Sequence, residues 1–447
     1  MMGVRMTADA ALAAWHWQPQ PQAERLVQAL IGRVVGTCAP ARRLAERMRR
    51  ETGTRFADWV DHVVVPRSAA IETDLRAAGF ALCDDVTGAY WSNGDGLFPD
   101  ILLRDATVVA IAVESVADVA AALDVPARIE GDPLARMRRA RLAADDGAEL
   151  WAVERHGHVG FTPPVGSVGL PYLRHLDAFR TRPRALGFAP TRTLIEAAVR
   201  DVGRDTACDL FFAAERDYWQ RRNRAAWVQK ARQDRLGLGW ANHDHHTYRS
   251  SRGAFRDLIA CLELLGMHCR ERFYAGGEAG WGAQVLEHSA TGVVVFADVD
   301  MTPEELAGDF AHDGLSERRE LGTVGLWCAL HGEAFLEAGM HHLEATFAYD
   351  DARAQLAEVG VASMPPFTDY PWLHQCFTEG ERWAVDGRRI DALLTDGRIS
   401  PAQADEFRAH GALGSHLEIL ERNQGFKGFN QKGVSEIIAR TDPRRQG

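Results

Sequence analysis

A repeated rhythm constrains this chain most: a strand-like run, one amphipathic helix closed by glycine, then several short strand-like runs. It first occurs at Trp59. WVDHVVVP is rich in β-branched residues and ends at Pro66; SAAIETDLRAAG follows, with Ser68 placed to cap the helix and Gly79 to stop it. FALC, AYWS, DILL and TVVAIAV then read as strands. The rhythm returns at Asn242. HDHHTYR precedes Phe255, Leu258, Ile259, Leu262 and Leu265 at helical spacing, closed by Gly266, and HCRERFYA, GAQVLE and GVVVFADV follow. It returns again at Met340, with HHLEATF, a helix DARAQLAEVG capped by Asp350, then LHQCFTE and SHLEILER. Three βαβββ units are therefore predicted, over 57–115, 242–300 and 340–422. A helical insertion at about 387–411 interrupts the last, with Ser400 as cap and Pro401 as first helical position. Sequence identity between the units is slight, so the repeat is one of architecture.

The remaining stretches have another character. Residues 1–55 carry Ala, Leu and Arg in mixed helical spacing (AERLVQALIGRVV, ARRLAERMRRE). Residues 116–240 combine helical stretches such as RTLIEAAVRDV and CDLFFAAERDYW with a Gly/Pro-rich piece, GHVGFTPPVGSVGLP, and read as a helical connector. The expected fold class is α+β: a helical segment over 1–55, one βαβββ module plus helical connector over 56–240, and paired modules over 241–447.

Composition narrows the function. The formal net charge of -11 argues against nucleic acid and anionic membranes as partners. Seven scattered cysteines with no CxxC argue against a disulfide framework or a thiolate zinc site. No run approaches the ~20 apolar residues of a membrane span, and MMGVRMTADAALAAW lacks a signal-peptide core. A cytoplasmic setting is expected.

The histidines are crowded. His243, His245 and His246 share one predicted strand, His341 and His342 a second, and His416 lies with Glu418 on a third. Strand alternation puts His243, His245, Thr247 and Arg249 on one face. His341 goes with Leu343, Ala345 and Phe347 on an apolar face, and His342 with Glu344 on the other. One consistent arrangement points His245, His342 and Glu418 into a shared cavity. Two imidazoles and one carboxylate form the facial set of non-haem Fe(II), leaving three positions for substrate and dioxygen. Arg249 would face the same cavity and grip a carboxylate at two points. Spacing alone fits ordinary core histidines as well, and leaves His243 as a competing ligand.

The C-terminal half resembles the vicinal oxygen chelate superfamily, whose metal sites lie between paired βαβββ modules, and within it the 2-oxoadipate dioxygenase/decarboxylase (hydroxyglutarate synthase) family. The resemblance rests on D-H-H-T-Y-R at 244–249, G-M-H-C-R-E-R-F at 266–273, H-H-L at 341–343 and L-E-I-L-E-R at 417–422. The tail, WLHQCFTEGE and then LEILERNQGFKGFNQKGVSEII, is similar to that of 4-hydroxyphenylpyruvate dioxygenases. The resemblance covers about 240–440. It implies a metal-binding catalytic domain there, with Fe(II) on His245, His342 and Glu418 and Arg249 anchoring a substrate carboxylate. Gln375 is a candidate hydrogen-bond donor to that substrate. The implied activity is a dioxygenase that oxidatively decarboxylates a small 2-oxo carboxylic acid with O2. A non-redox isomerase or lyase, a ring-cleaving dioxygenase or a ligand-binding protein are the alternatives on the same scaffold. Two departures bear on substrate identity: YAGGEAGWGA at 274–283 lacks a basic residue expected there, and the insertion at 387–411 is extra. DHVVVP at 61–66 resembles the opening strand of a degenerate module, with His62 read as structural rather than as a relic ligand.

Overall fold

The computed structural model describes residues 17–85, 88–276, 279–368, 370–430 and 441–445. Two helices open the described chain, α1 (Pro21–Thr37) and α2 (Ala39–Thr52), as the helical spacing predicts.

Two mixed sheets follow, each assembled from two βαβββ modules. The first begins with β1 (Val60–Val65), α3 (Ala69–Ala77), β2 (Ala81–Asp85), β3 (Gly88–Ser92) and β4 (Asp100–Leu103). Ser68 caps α3, its hydroxyl accepting from the Ile71 amide at 3.2 Å, and Gly79 leaves the helix at φ +83°. The second module is β5 (Thr107–Ala112), α4 (Val116–Ala122), β6 (Ile129–Glu130), β7 (Met137–Asp145) and β8 (Ala148–Arg155). The sheet order is β2-β3-β4-β1-β5-β8-β7-β6. Each module pairs its first strand parallel to its last, and the two first strands meet antiparallel at the centre.

This corrects two expectations. TVVAIAV does not close the first module but opens the second. Residues 116–155, read as connector, hold that second module. Its strands MRRARLAAD and AELWAVER carry few β-branched residues; ladder pairing along β5, β8 and β7 makes them strands, a tertiary effect that overrides propensity. The helical connector proper is α5 (Leu170–Thr181), α6 (Phe188–Val202), α7 (Arg204–Gln220) and α8 (Arg224–Asp234).

The second sheet repeats the plan. Its first module is β9 (His243–Arg249), α9 (Phe255–Leu264), β10 (His268–Tyr274), β11 (Trp281–Glu287) and β12 (Val294–Asp300). After α10 (Thr323–His331) come β13 (His342–Thr346), α11 (Tyr349–Glu358), β14 (Leu373–Phe377) and β15 (Glu381–Trp383). The insertion helices α12 (Gly387–Thr395) and α13 (Pro401–His410) precede the long β16 (Ala412–Arg422). Ser400 caps α13 as expected, in a reciprocal pair with Gln403. Asp350 does not cap α11: it lies in the first turn, and the Glu421 carboxylate accepts from the Tyr349 amide instead, at 2.8 Å. The order is β10-β11-β12-β9-β13-β16-β14, with β15 also on β16. The Met364 and Phe367 amides donate to the Phe377 and Gln375 carbonyls, so residues 362–367 run beside β14 as an irregular edge.

One face of this second sheet carries Tyr248, Leu343, Ala345, Leu417 and Ile419. They are buried in one core with Phe211, Phe212 and Trp219 of α7. The other face carries the polar residues of interest and is closed by α10, whose Trp327 packs in a cluster with Phe273, Trp281, Phe296 and Phe429. Among the described residues no helix is long and apolar enough to cross a membrane.

Candidate metal centre

Register assembles the site. Glu344 on β13 stands opposite His245 on β9 and opposite Glu418 on β16, so the three share one rung across three adjacent strands. His342 lies two residues from Glu344 on the same face, opposite His416. One nitrogen or oxygen from each of His245, His342, Glu344 and Glu418 lies within 4.8 Å of all the others, and all four residues are buried. His342 Nε2 is 3.6 Å from Glu344 Oε1 and 3.5 Å from Glu418 Oε2. His245 Nε2 contacts Glu344 Oε1 directly.

Neighbouring side chains fix this geometry. His245 Nδ1 lies 2.9 Å from Asp244 Oδ1, and Arg422 clamps Asp244 with Nε at 2.8 Å and Nη2 at 3.0 Å. A carboxylate only accepts, so the ring proton sits on Nδ1 and the Nε2 lone pair is left for the cavity. Burial opposes the charge of Asp244, but Arg422 and the His245 bond hold its carboxyl below the usual range. His342 Nδ1 is 2.7 Å from His341 Nδ1, which likewise leaves Nε2 toward the carboxylates. Gln375 donates to Glu418 Oε1 at 3.0 Å.

Burial pushes His245 down to about 4 and His342 well below its ordinary value, so both imidazoles are neutral and able to coordinate. It raises both Glu344 and Glu418, and Glu344 further because Glu418 faces it. Two carboxylates and two neutral imidazoles packed together are the donor set of a divalent cation, and Glu344 Oε2 is buried without a hydrogen-bond partner. The residues fit a metal ion.

The group opens on a cavity of about 80 Å³, walled by Phe273, Trp281, Phe296, Phe377 and Phe429, with Thr247 and Asp298 at its edge. Arg249 lies on the same face but one step beyond Thr247, and it does not line this cavity. It is buried beside Trp327, with Nε and Nη1 lacking partners. Burial raises the adjacent Asp298 to about 8, against the pull of Arg249.

The expected residues thus divide plainly. His245, His342 and Glu418 converge, Gln375 touches Glu418, and Arg249 stands off. His243 is not with them. The β9–β13 ladder shifts register between Glu344 and Ala345, two β9 residues spanning one β13 step, so alternation fails there. The His243 ring packs on His246, at 5.1 Å, rather than on His245. His341 also departs from expectation. It precedes the strand, and its ring packs on His342, His416 and Trp327 rather than on the apolar face. Alternation places Glu344 beside His342, but nothing in the sequence spacing marks it as a member of this group.

The first sheet holds a partial copy. Asp61, His62 and Arg155 repeat Asp244, His245 and Arg422: His62 Nδ1 is 2.5 Å from Asp61 Oδ1, and Arg155 clamps Asp61 at 2.6 and 2.8 Å. Register places Val108, Ala110 and Trp151 where the second sheet has His342, Glu344 and Glu418.

No protein-family model matches the chain, and no curated protein matches its sequence. Solved structures do. One is a protein described as a hydrolase from Shewanella frigidimarina, 15% identical over 48% of this chain and 92% of that chain, with a TM-score of 0.33. A triple mutant of 4-hydroxymandelate synthase from Streptomyces coelicolor is 12% identical over 86% of this chain and 99% of that chain, at 0.30. Methylmalonyl-CoA epimerase from Mycobacterium tuberculosis is 11% identical over 41% of this chain and 88% of that chain, at 0.24. At these values the likeness says nothing of activity. The α+β architecture of paired βαβββ modules, that of the vicinal oxygen chelate fold, is carried by the strand order itself.

Proposed function

We propose that this protein is a mononuclear Fe(II) dioxygenase acting on a small 2-oxo carboxylic acid with oxidative decarboxylation, in the cytoplasm. The observation that carries the reading is the convergence of His245, His342 and Glu418 on one buried, aromatic-walled cavity. These three would hold the iron. When bound, the iron supplies Lewis acidity and electrons for the reaction with dioxygen. Asp244 and Arg422 keep His245 in the coordinating tautomer, and Gln375 holds one Glu418 oxygen. The phenyl rings keep bulk water out. Arg249, with two unpartnered N–H groups, binds the far carboxylate of an acid long enough to pass Thr247. A substrate with its own 2-oxo group needs no separate 2-oxoglutarate, and it leaves as a hydroxylated, shortened acid with release of CO2. All seven cysteines are unpaired, in keeping with a reducing compartment.

Anaerobic purification, iron analysis and substrate-dependent oxygen uptake over a set of 2-oxo acids test the reading. One iron per chain and oxygen uptake with one of these acids are expected; a metal-loaded protein that turns over an acid without consuming oxygen would overturn it. That second outcome is the non-redox isomerase or lyase reading, and Glu344 is the observation that favours it. A fourth protein ligand would leave two positions open on a six-coordinate ion, enough for a chelating acid; a reaction with dioxygen would then need Glu344 to give up its position.

A further inference from the structure

We infer that Glu344 is itself a ligand, so that the resting centre is a two-histidine, two-glutamate site. The inference rests on the cavity being a metal centre, and not on dioxygenase chemistry.

Three observations carry it. Glu344 is central in the group: it stands opposite both His245 and Glu418 in register, contacts His245 Nε2, and has Oε1 3.6 Å from His342 Nε2. Its other oxygen, Oε2, is buried with no partner. Third, several enclosed carboxylates of this protein are matched by donors: Asp61 by Arg155, Asp244 by Arg422, Glu215 by Arg182 and Arg184, and Asp300 by the Gly322, Val324 and Gly325 amides. Among the described residues, neither Glu344 nor Glu418 has an ion pair with arginine or lysine; each faces histidine and the other glutamate, with Gln375 donating to Glu418. Two buried carboxylates side by side without a guanidinium in contact are neutralised by protons or by a metal cation, and the two neutral imidazoles beside them suit the metal. A divalent ion held by both, with two neutral imidazoles, is charge-neutral as a unit. Held by Glu418 alone it would leave one buried charge uncompensated on each side.

Cobalt(II) titration of the metal-free full-length protein, read by visible absorption and by competition with a chelator, tests this. Wild type is expected to bind one Co(II) per chain. Glu344→Ala should weaken binding at least a hundredfold and change the ligand-field bands. Glu344→Asp should recover part of both. Glu344→Gln should raise the Tm of the metal-free protein, because it replaces one of two facing carboxyls by a neutral amide, while shrinking the Tm rise on adding Co(II). A merely structural Glu344 would lower the metal-free Tm when replaced. Wild-type affinity and spectrum in Glu344→Ala would overturn the inference and leave the metal centre standing. No Co(II) binding by wild type would overturn both. If Glu344→Ala does not fold, a crystal structure of the Co(II)-loaded wild type decides. A Glu344 oxygen at about 2.0–2.2 Å from the ion supports the ligand; one beyond hydrogen-bonding distance overturns it.

Discussion

Arg249 is buried with Nε and Nη1 unpartnered, an expensive state for a guanidinium unless a ligand completes it. Arg249→Lys should keep metal content and weaken turnover, because the charge remains while the planar two-point grip is lost. Arg249→Ala should lower kcat/KM at least a hundredfold, since losing one partner of a buried charge pair typically costs about 3–5 kcal/mol. Metal content and oxygen uptake measured on the same preparation separate this from a structural role, in which uptake would stay near wild type. Asp244 acts one bond further out. Asp244→Asn keeps the shape but frees the His245 tautomer and unpairs Arg422, so metal affinity should drop about 10–100-fold, the usual cost of losing a partner behind a ligand. A chelator competition assay reads it, and an unchanged affinity would show that the Asp244–Arg422 pair is structural only. At this scale the sequence was legible where strands run regularly. His245, His342 and Glu418 follow from alternation, and so does the face of Glu344. His243 and His341 do not, because a bulge and a strand end interrupt the period.

Elements were legible where one segment signals its own state. The βαβββ rhythm at 242–300, the caps at Ser68 and Ser400, and the insertion helices are local in cause. The strands β6 to β8 are not: their residues become strands through partners distant in sequence. The junction after β8 holds a titratable group that such pairing creates. His156 lies between Glu154, at 3.1 Å, and Asp209 of α7, at 2.9 Å. Burial disfavours its charge, but the hydrogen bonds to Asp209 and Glu154 outweigh this and raise it to about 10. The folded value exceeds the unfolded one, so this stabilisation is complete below about pH 6.5. It is lost progressively as pH rises toward 10. Denaturant unfolding at several pH values should show wild type losing its advantage over His156→Gln across that window. A constant difference between the two proteins would refute the assignment.

For the whole molecule, the sequence suggested one degenerate module ahead of a catalytic pair, while the fold has two sheets of the same plan, each built from two modules. The second module of the first sheet is not legible in the sequence because it kept the ladder and lost the residues that advertise it. What the sheet retained is the support, Asp61–His62–Arg155, and what it lost is the rest of the donor set. Val108, Ala110 and Trp151 occupy the ligand positions, and none offers a carboxylate or imidazole. A lone imidazole cannot retain a divalent ion that needs several donors. The first sheet should therefore hold no metal ion of its own. His62→Ala should leave metal content and affinity unchanged and lower stability, because it strips the Asp61–Arg155 pair of a partner in a buried cluster. His245→Ala should abolish tight binding. Loss of metal in His62→Ala would show that the first sheet still has a working centre and that support alone, without the other three donors, is enough to hold an ion.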